Sequence, residues 1–260
     1  MDINQLRQIG EETDNILRLK TPSIGIVCCN SQTQIPLAEF SVIDHPIPFC
    51  SVVGLSRFFE LPVYIPREQI EGQCIGVDFP YFKKTVDASF PQNITGLFTE
   101  NTEQAGEIIA SMKQIGQEVT GFAFFPLKCA PMLPEICQIW GNPLQTTTVI
   151  YANTWTSPHV RLTNGAGTNG HGGSCYEGFI IPFLENRINL ATIDMGDRKH
   201  GHAGDEETLI AFPLGELERL HYGLVKTQNT RHRLPVMYDF ESSAFPVKKE
   251  YLNRRGPNYA

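Results

Sequence analysis

The feature that most constrains the fold of this chain is the same order of strands and helices in its two halves. Short apolar, β-branched runs at residues 23–28 and 135–140 are typical of buried strands. In each half a later apolar segment begins with a cysteine and ends with a glutamate, at residues 50–60 and 175–185, and a strand is expected after each segment. The repeated order indicates an internal duplication, and chance similarity of short segments is the alternative.

A duplication also predicts how the halves are arranged. Ala-Phe-Phe-Pro-Leu127 in the first half resembles Ala-Phe-Pro-Leu214 in the second, which extends the repeat. In related halves, Cys50 and Cys175 would occupy equivalent helix starts, and a pseudo-two-fold axis would bring both toward one cleft. We therefore predict an α+β, or mixed α/β, fold: a single compact unit of two related strand–helix–strand halves.

Prolines and composition divide the chain further. Pro131 and Pro134 interrupt the pattern and mark the internal boundary. They separate an N-terminal half, residues 1–130, from a C-terminal half, residues 131–227. Residues 228–260 form a polar tail, broken by prolines, that is expected to lie across the surface or a partner subunit.

Hydrophobic periodicity predicts the main helices. Apolar residues at helical spacing predict an opening helix in residues 2–20 and another in residues 99–119, whose acidic first turn suits the helix dipole. Residues 144–153 and the segment from Pro213 onward are also expected to be helical. Residues 196–205, rich in charge and glycine, are expected to form a loop.

The composition argues against several classes of protein. The 260 residues carry 28 acidic and 21 basic side chains, a net charge of -7, and no basic patch stands out, which argues against a nucleic-acid partner. No long apolar run predicts a membrane span, and the polar N-terminus lacks the features of a signal peptide. Seven cysteines without regular spacing argue against a disulfide framework. A cytoplasmic location with reduced thiols is the expectation.

A glycine-rich loop at residues 165–178 is the most distinctive candidate site. So many glycines indicate backbone that turns sharply or approaches a ligand closely. The loop carries His171 and presents Cys175 at the start of an apolar helix, where the dipole favours the reactive, metal-binding thiolate. The candidate cofactor-binding residues of the loop are Gly170, Gly172 and Gly173.

The leading hypothesis is ligation of a metal centre by Cys50, Cys74 and Cys175, with His171 as a fourth ligand. Three thiolates suit an iron–sulfur cluster or a transition-metal ion, and an open position at such a centre would bind and polarise a substrate. The three cysteines lie beside glycine or at expected helix starts. Plain packing is the alternative, and it is expected for the cysteines that fall in strands, which are Cys28, Cys29 and Cys137.

Two other interpretations of the loop are open. Cys175 would be a nucleophile with His171 or His200 as its base, because an adjacent imidazole or a helix start activates a thiol. The glycines of residues 165–170 also match the spacing of a dinucleotide-binding fingerprint. Further glycines, however, intervene before the helix that this motif requires.

The loop expected over residues 196–205 carries a second group of polar residues. His200 and His202, with Asp197 and Asp205 nearby, are candidate metal ligands, because alternation in an extended segment would place both histidines on one face. An exposed polar loop is the alternative. Arg198 is a third catalytic candidate, for binding a substrate carboxylate or phosphate, or else it pairs with an acidic residue across the loop.

Short motifs in a fixed order run through residues 5–225. They are LKTPSIGI at 19–26, CSVVGLSRFF at 50–59, VYIPR at 63–67 before Cys74, IWGNP at 139–143, the Cys175 region, and GDR at 196–198 before DEE at 205–207. In this order they resemble an uncharacterised bacterial and archaeal family, "domain of unknown function one-six-nine". The resemblance implies a soluble α+β protein, frequent in anaerobes, with no agreed activity. The pair His200 and His202 departs from the family's usual loop, so any role of that pair is particular to this sequence.

Together these patterns predict a cytoplasmic protein of anaerobic-type metabolism with a cysteine-lined pocket. The pocket is expected to hold an iron–sulfur cluster or a transition metal and to bind or act on a small molecule. The alternative is a non-catalytic small-molecule or cofactor-binding protein with structural cysteines. Neither a nucleic acid nor a membrane is expected as a partner, and a homo-oligomer is left open.

Overall fold

Eight strands form one mixed sheet in the computed structural model of the protein, which describes residues 1–71, 75–82, 95–96, 99–157, 163–164 and 173–228. The strands are β1 (Ile24–Cys29), β2 (Ser41–Val42), β3 (Val63–Pro66), β4 (Gly121–Pro126), β5 (Ile136–Gly141), β6 (Thr163–Asn164), β7 (Asn189–Ala191) and β8 (Thr208–Pro213). Their order across the sheet is β2-β3-β4-β1-β5-β8-β7-β6. The predicted mixed fold is confirmed.

Helices cover both faces of this sheet. They are α1 (Ile3–Leu17), α2 (Phe49–Phe58), α3 (Ile75–Phe82), α4 (Thr102–Ser111), α5 (Pro143–Thr156), α6 (Ile181–Glu185), α7 (Met195–Lys199) and α8 (Leu217–Thr227), with a π-helix (Gly173–Ile180) leading into α6. Helices α1, α5 and α8 share one apolar cluster, and α2, α3, α4 and the π-helix share the other. None of the described helices combines the length and hydropathy needed to cross a membrane.

The two halves of the sheet are related by a pseudo-two-fold axis at the antiparallel pair of β1 and β5. Gly25 lies opposite Cys137 at the centre of this pair. Outward from the centre, each half repeats the same pairings in the same direction and register. The equivalent pairs are Ile24–Pro126 and Ile136–Pro213, Val63–Phe124 and Asn189–Ala211, and Ser41–Val63 and Thr163–Asn189. The prediction of two related strand–helix–strand halves is therefore confirmed.

The helices between these strands follow the same symmetry. Cys50 is the second residue of α2, and Cys175 is the third residue of the π-helix. Each segment ends at a residue with left-handed backbone, Glu60 (φ 56) and Asn186 (φ 46), before the next strand. The second segment is one residue longer between its cysteine and this end point. A π-turn holds one residue more than an α-turn, so the π-helix accommodates the extra residue without displacing the strand.

The central strands are buried on both faces, as expected for a sheet covered by two helical layers. Cys28, Cys29 and Cys137 lie in them with at most 1% of their surface exposed. Burial raises the pKa of all three thiols, which keeps them protonated and unreactive. The interpretation of these cysteines as packing residues fits their positions.

Two local predictions are wrong. The helix expected over residues 99–119 spans only Thr102–Ser111, because tertiary hydrogen bonds take over beyond it: the Lys113 N–H donates to the Tyr176 hydroxyl at 2.7 Å and the Ile115 N–H to the Pro80 carbonyl at 2.9 Å. The loop expected over residues 196–205 begins with the short helix α7. The Asp194 side chain caps this helix by accepting from the Asp197 N–H at 2.7 Å.

A close contact between helices α5 and α8 yields a test of the packing. Gly223 of α8 lies directly against the backbone carbonyl of Ala152, so a methyl group there has no room. We expect Gly223→Ala to lower the free energy of unfolding by about 1–3 kcal/mol through overpacking. Urea denaturation followed by circular dichroism measures the change.

The control for this test is Gly215→Ala, because a methyl group at Gly215 meets no atom within 4 Å. That variant is expected to stay within about 1 kcal/mol of the original protein or to gain slightly. Equal stability of the two variants would contradict the proposed tightness of the α5–α8 contact.

Candidate functional site

Cys50, Asp194 and Asp197 form a buried cluster in which two segments far apart in sequence meet. The Cys50 Sγ and one carboxylate oxygen from each aspartate all lie within 4.8 Å of one another. Cys50 is 4% exposed, Asp194 9% and Asp197 1%. Within the part of the chain that the structure describes, no other set of three or more His, Cys, Asp or Glu side chains converges in this way.

Local structure fixes each of these side chains. Cys50 lies in the first turn of α2, which begins after Pro48. Asp194 is the N-cap of α7, and Asp197 lies in the first turn of the same helix. The bond from the Asp197 N–H to the Asp194 carboxylate holds the two aspartates together, as an N-cap bonds the third residue of a helix.

The two carboxylates also hold the start of the π-helix. The Gly173 N–H donates to Asp194 Oδ2 at 3.1 Å, and the Ser174 N–H donates to Asp197 Oδ2 at 2.9 Å. The Ser174 hydroxyl donates to Asp197 Oδ1 at 2.5 Å, and the Cys50 thiol bonds the same carboxyl group. A side chain at position 173 would collide with Asp197 Oδ2, so only glycine fits. Asp197 thus links Cys50 to the residue that precedes Cys175.

The environment of Asp197 opposes its negative charge. Burial, and then the neighbouring charge of Asp194, raise the pKa of the Asp197 carboxyl group to about 7, and hydrogen bonds from Ser174 and Cys50 oppose this rise only in part. Near neutral pH the cluster therefore lies at the point where it exchanges a proton.

A buried ion pair contributes a fixed positive charge that interacts with Asp197. Arg57 is 1% exposed; its Nη2 lies 2.5 Å from Glu207 Oε1, and its guanidinium lies 4.1 Å from the centre of the Trp140 ring. Burial lowers the pKa of Arg57, while the charges of Glu207 and Asp197 oppose that change. The described buried carboxyl groups of Asp194, Asp197 and Glu207 therefore outnumber the one buried guanidinium.

The site residues predicted from the sequence do not all lie in this cluster. Cys50 is in the cluster, and Gly173 forms the start of the π-helix. Cys175 is fully buried among apolar side chains, and its carbonyl accepts a hydrogen bond from the Tyr81 hydroxyl at 2.5 Å. The remaining candidates of the loop and of the cysteine trio lie outside the described residues: Cys74, Gly170, His171 and Gly172.

The polar residues around α7 do not form the arrangement expected of them. Arg198 Nη1 lies 2.6 Å from Asp205 Oδ1, which is the pairing across the loop given as its alternative. The expectation that His200 and His202 lie on one face of an extended segment is wrong. His200 ends helix α7, and His202 has left-handed backbone (φ 54) and is exposed, with its ring edge-on to Phe58. Neither histidine joins a group of three potential ligands among the described residues.

The sequence did not identify Asp194 or Ser174 as site residues. It grouped Asp197 with His200, His202 and Asp205 rather than with Cys50. A signal for the aspartates exists, because an acidic residue followed three positions later by a second one often marks a helix start. That pattern predicts the helix and its cap. It does not predict that Cys50, from the other half, lies against the same carboxylates.

Comparison with known proteins gives a family. Residues 14–223, more than half of the chain, match the model of the family described as DUF169, uncharacterised ArCR. An uncharacterized protein of Methanocaldococcus jannaschii is 18% identical over 223 residues, covering 84% of this chain and 93% of that protein. No solved structure matches the chain significantly.

The raised pKa of Asp197 predicts how stability depends on pH. Because the folded-state value, about 7, lies above the ordinary value of 3.8, the folded chain holds a proton that the unfolded chain releases between these values. Its contribution to stability is therefore complete at low pH and is lost as pH rises toward 7. We expect Asp197→Asn, which cannot ionise, to reduce this loss by up to about 1.4 kcal/mol per pH unit.

Urea denaturation of chelator-treated protein at several values between pH 5 and pH 8 measures this difference. Chelation keeps any bound cation from masking the effect. Asp205→Asn is the matched control, because the Asp205 side chain is fully exposed. Parallel stability curves for Asp197→Asn and the original protein would show that the Asp197 carboxyl group titrates as an ordinary one.

Proposed function

The chain belongs to the DUF169 family, uncharacterised ArCR, and we propose that it binds a divalent transition-metal ion between Cys50, Asp194 and Asp197 and uses the ion to bind or act on a small molecule. The observation that carries the proposal is the convergence of a thiol and two carboxylates within 4.8 Å in a buried place. The ligand types, the charge of the surroundings and the way in which the ligands are held each support it.

Charge is the first support. Burying a carboxylate without a compensating charge is costly, and here two lie side by side. Arg57 is paired with Glu207 and also interacts with the charge of Asp197, so its single positive charge is divided between two carboxylates. A divalent cation would offset the charge of both carboxylates, whereas without one the raised pKa of Asp197, about 7, keeps that carboxyl group partly protonated near neutral pH.

The kinds of ligand atom indicate which metals fit. One thiolate with two carboxylate oxygens is a mixed soft and hard set, which suits borderline ions such as Zn²⁺ or Fe²⁺ better than Mg²⁺ or Ca²⁺. Around a tetrahedral zinc ion, such atoms lie about 3.3–3.5 Å apart, given bonds of roughly 2.0 Å to oxygen and 2.3 Å to sulfur. The cluster lies within 4.8 Å, so binding requires only small side-chain movements.

Three protein ligands would leave a coordination position open. In catalytic zinc sites that position holds water or substrate. Cys74 and His171, which the sequence also offers as ligands, are the candidates for filling it from the protein. An iron–sulfur cluster needs more thiolates than the one in this group, so the described donors favour a single ion.

The protein's own groups would hold the ion in a fixed geometry. The hydrogen bonds from Ser174 to both oxygens of Asp197, and from Asp197 to Asp194, orient the carboxylates before any ligand arrives. A bound ion would supply a Lewis acid that polarises an oxygen of the small molecule. A thiolate ligand must stay reduced, so the proposal includes a cytoplasmic location.

Metal analysis tests the proposal directly. Protein purified without oxygen is expected to hold about one transition-metal ion per chain, measured by inductively coupled plasma mass spectrometry. Cys50→Ala and Asp194→Asn are expected to lose the ion, because the first removes the ligand sulfur and the second replaces a charged carboxylate with a neutral, weaker amide ligand. Cys137→Ala is the matched control, since it removes an equally buried thiol from strand β5 and leaves the cluster intact.

Further variants define the rest of the site. Loss of metal in Cys74→Ser or His171→Ala, with unchanged folding by circular dichroism, would assign the fourth ligand. Several irons per chain with acid-labile sulfide would contradict a single ion and support a cluster. Protein that contains no metal and takes up neither Zn²⁺ nor Fe²⁺ in titrations would contradict the proposal as a whole.

A supporting residue gives a graded test. Ser174 contacts Asp197 through both its N–H and its hydroxyl, and Ser174→Ala removes only the hydroxyl bond. We expect this variant to bind the metal about 10–100-fold more weakly, as is typical when a residue that orients a ligand is lost. Competition with a chelator of known affinity measures the change, and an unchanged affinity would show that Ser174 does not orient the ligand.

A further inference from the structure

Gln138 is a fully buried polar residue on the face of strand β5 that packs against the π-helix. Alternation along the strand places Ile136, Gln138 and Trp140 on this face, and both neighbours of Gln138 belong to its apolar cluster. Burying an amide among apolar side chains is costly unless its polar atoms are hydrogen-bonded. The partners of Gln138 therefore indicate its role.

Both polar atoms of the Gln138 amide are used. Its Nε2 donates to the Ser174 and Gly178 carbonyls of the π-helix, each at 2.9 Å, and its Oε1 accepts from the Trp140 Nε1–H at 3.1 Å. An amide turned around would set its oxygen against both carbonyls, so the three bonds fix its direction. A methyl group at Gly178 would lie 2.7 Å from Nε2, so this close approach needs glycine. Gln138 thus holds the first turn of the π-helix against β5.

Pro182 explains why the π-helix needs a donor from outside. Proline has no backbone N–H, so a carbonyl that would accept from this position has no partner within the helix. In α-helical spacing that carbonyl belongs to Gly178, and in π-helical spacing it belongs to Glu177. Gln138 donates to the first, and Asn189 Nδ2 donates to the second at 2.8 Å. Two buried side-chain amides therefore supply the donors that the helix itself lacks.

The first half of the protein provides an internal comparison. By the pairing registers of β1 and β5, the positions of Gln138 and Trp140 are occupied there by Ile26 and Cys28. Both of these residues belong to the apolar cluster, and the equivalent helix that packs on them, α2, is an ordinary α-helix. The amide and the indole thus occur in the half whose helix contains the π-turn and carries Ser174. They are matched to the π-helix and not to the sheet alone.

We propose that Gln138 is a positioning residue of the cluster, which holds Ser174 in the place where its N–H and hydroxyl meet the Asp197 carboxylate. Ser174 joins the two contacts: its carbonyl accepts from Gln138 at 2.9 Å, and its N–H and hydroxyl donate to Asp197 at 2.9 Å and 2.5 Å. The effect of Gln138 on metal affinity rests on the function proposed above. Its hold on Ser174 is a property of the protein without metal.

Loss of the Gln138 donors would act on the ligands through this turn. Two buried carbonyls would lose a donor, and the turn recovers partners for them by opening toward water. An open turn no longer holds Ser174 against Asp197. The Gly173 N–H, in the same turn, also leaves the Asp194 carboxylate. Ligands held in place before an ion arrives bind it more tightly than ligands that must first be ordered.

Amide hydrogen exchange followed by NMR tests the hold on Ser174 in chelator-treated protein. Gln138→Met keeps the length of the side chain and removes both donor bonds. We expect the Ser174 amide of this variant to exchange at least about tenfold faster, while the amides of strand β4 keep their rates because the opening is local. Trp140→Phe is the matched control, since it removes the bond to Oε1 and leaves both Nε2 bonds in place. A folded Gln138→Met variant whose Ser174 amide exchanges at the original rate would overturn the positioning role.

Zinc affinity, measured by competition with a chelator, tests the effect on the ligands. Gln138→Met is expected to bind Zn²⁺ about tenfold more weakly, as when a residue that supports a ligand is lost. Because both residues act along one path, the losses in the double variant with Ser174→Ala are expected to fall short of additive by at least about threefold. Unchanged affinity, or fully additive losses, would show that Gln138 acts on overall stability and would contradict its positioning role.

The two measurements separate this role from the metal function. An original protein that takes up no metal would contradict the metal function, and the exchange rate of the Ser174 amide would still decide whether Gln138 holds Ser174. Circular dichroism confirms that each variant is folded.

Discussion

The antiparallel pairing of β1 with β5 is the contact on which the rest of the structure depends. It joins the two halves of the sheet and fixes the pseudo-two-fold axis, because Gly25 and Cys137 face each other at its centre. The same pairing brings α2, from the first half, beside the π-helix and α7, from the second. Cys50 and Asp197 have no other reason to meet, since they belong to different halves and to different helices.

The cluster that results is unfavourable for stability when considered alone. Two adjacent buried carboxyl groups lose hydration and repel each other when both are ionised. Backbone N–H groups at the starts of α7 and the π-helix offset part of this cost, because they point at the carboxylates with the favourable end of the helix dipole. A protein of this size has simpler ways to cap two helices, and perturbed acidic groups are concentrated at functional sites.

The longer strands and the relation between the halves could be predicted from the sequence, because those strands are short apolar runs between turn residues and the order of parts repeats. The two-residue edge strands β2 and β6 could not, because Ser41–Val42 and Thr163–Asn164 are not apolar runs. The site could be predicted only in part. Cys50 was found from its position at a helix start, which is a local property. Its neighbours were not, because a contact between Cys50 and Asp197 depends on the register of strands far apart in sequence. The prediction that His200 and His202 share one face was wrong for a related reason. The extended segment that would have aligned them begins instead as the short helix α7.

Because its residues come from both halves of the chain, the cluster can form only late during protein synthesis. A ribosome releases helix α2, which carries Cys50, long before it releases Asp194 and Asp197. The centre of the sheet cannot close until β5 has also emerged. No chain shorter than 197 residues offers all three proposed ligands at once. Metal selection in the cell would therefore act on the finished domain, and a bound ion would favour the completed fold over every shorter intermediate.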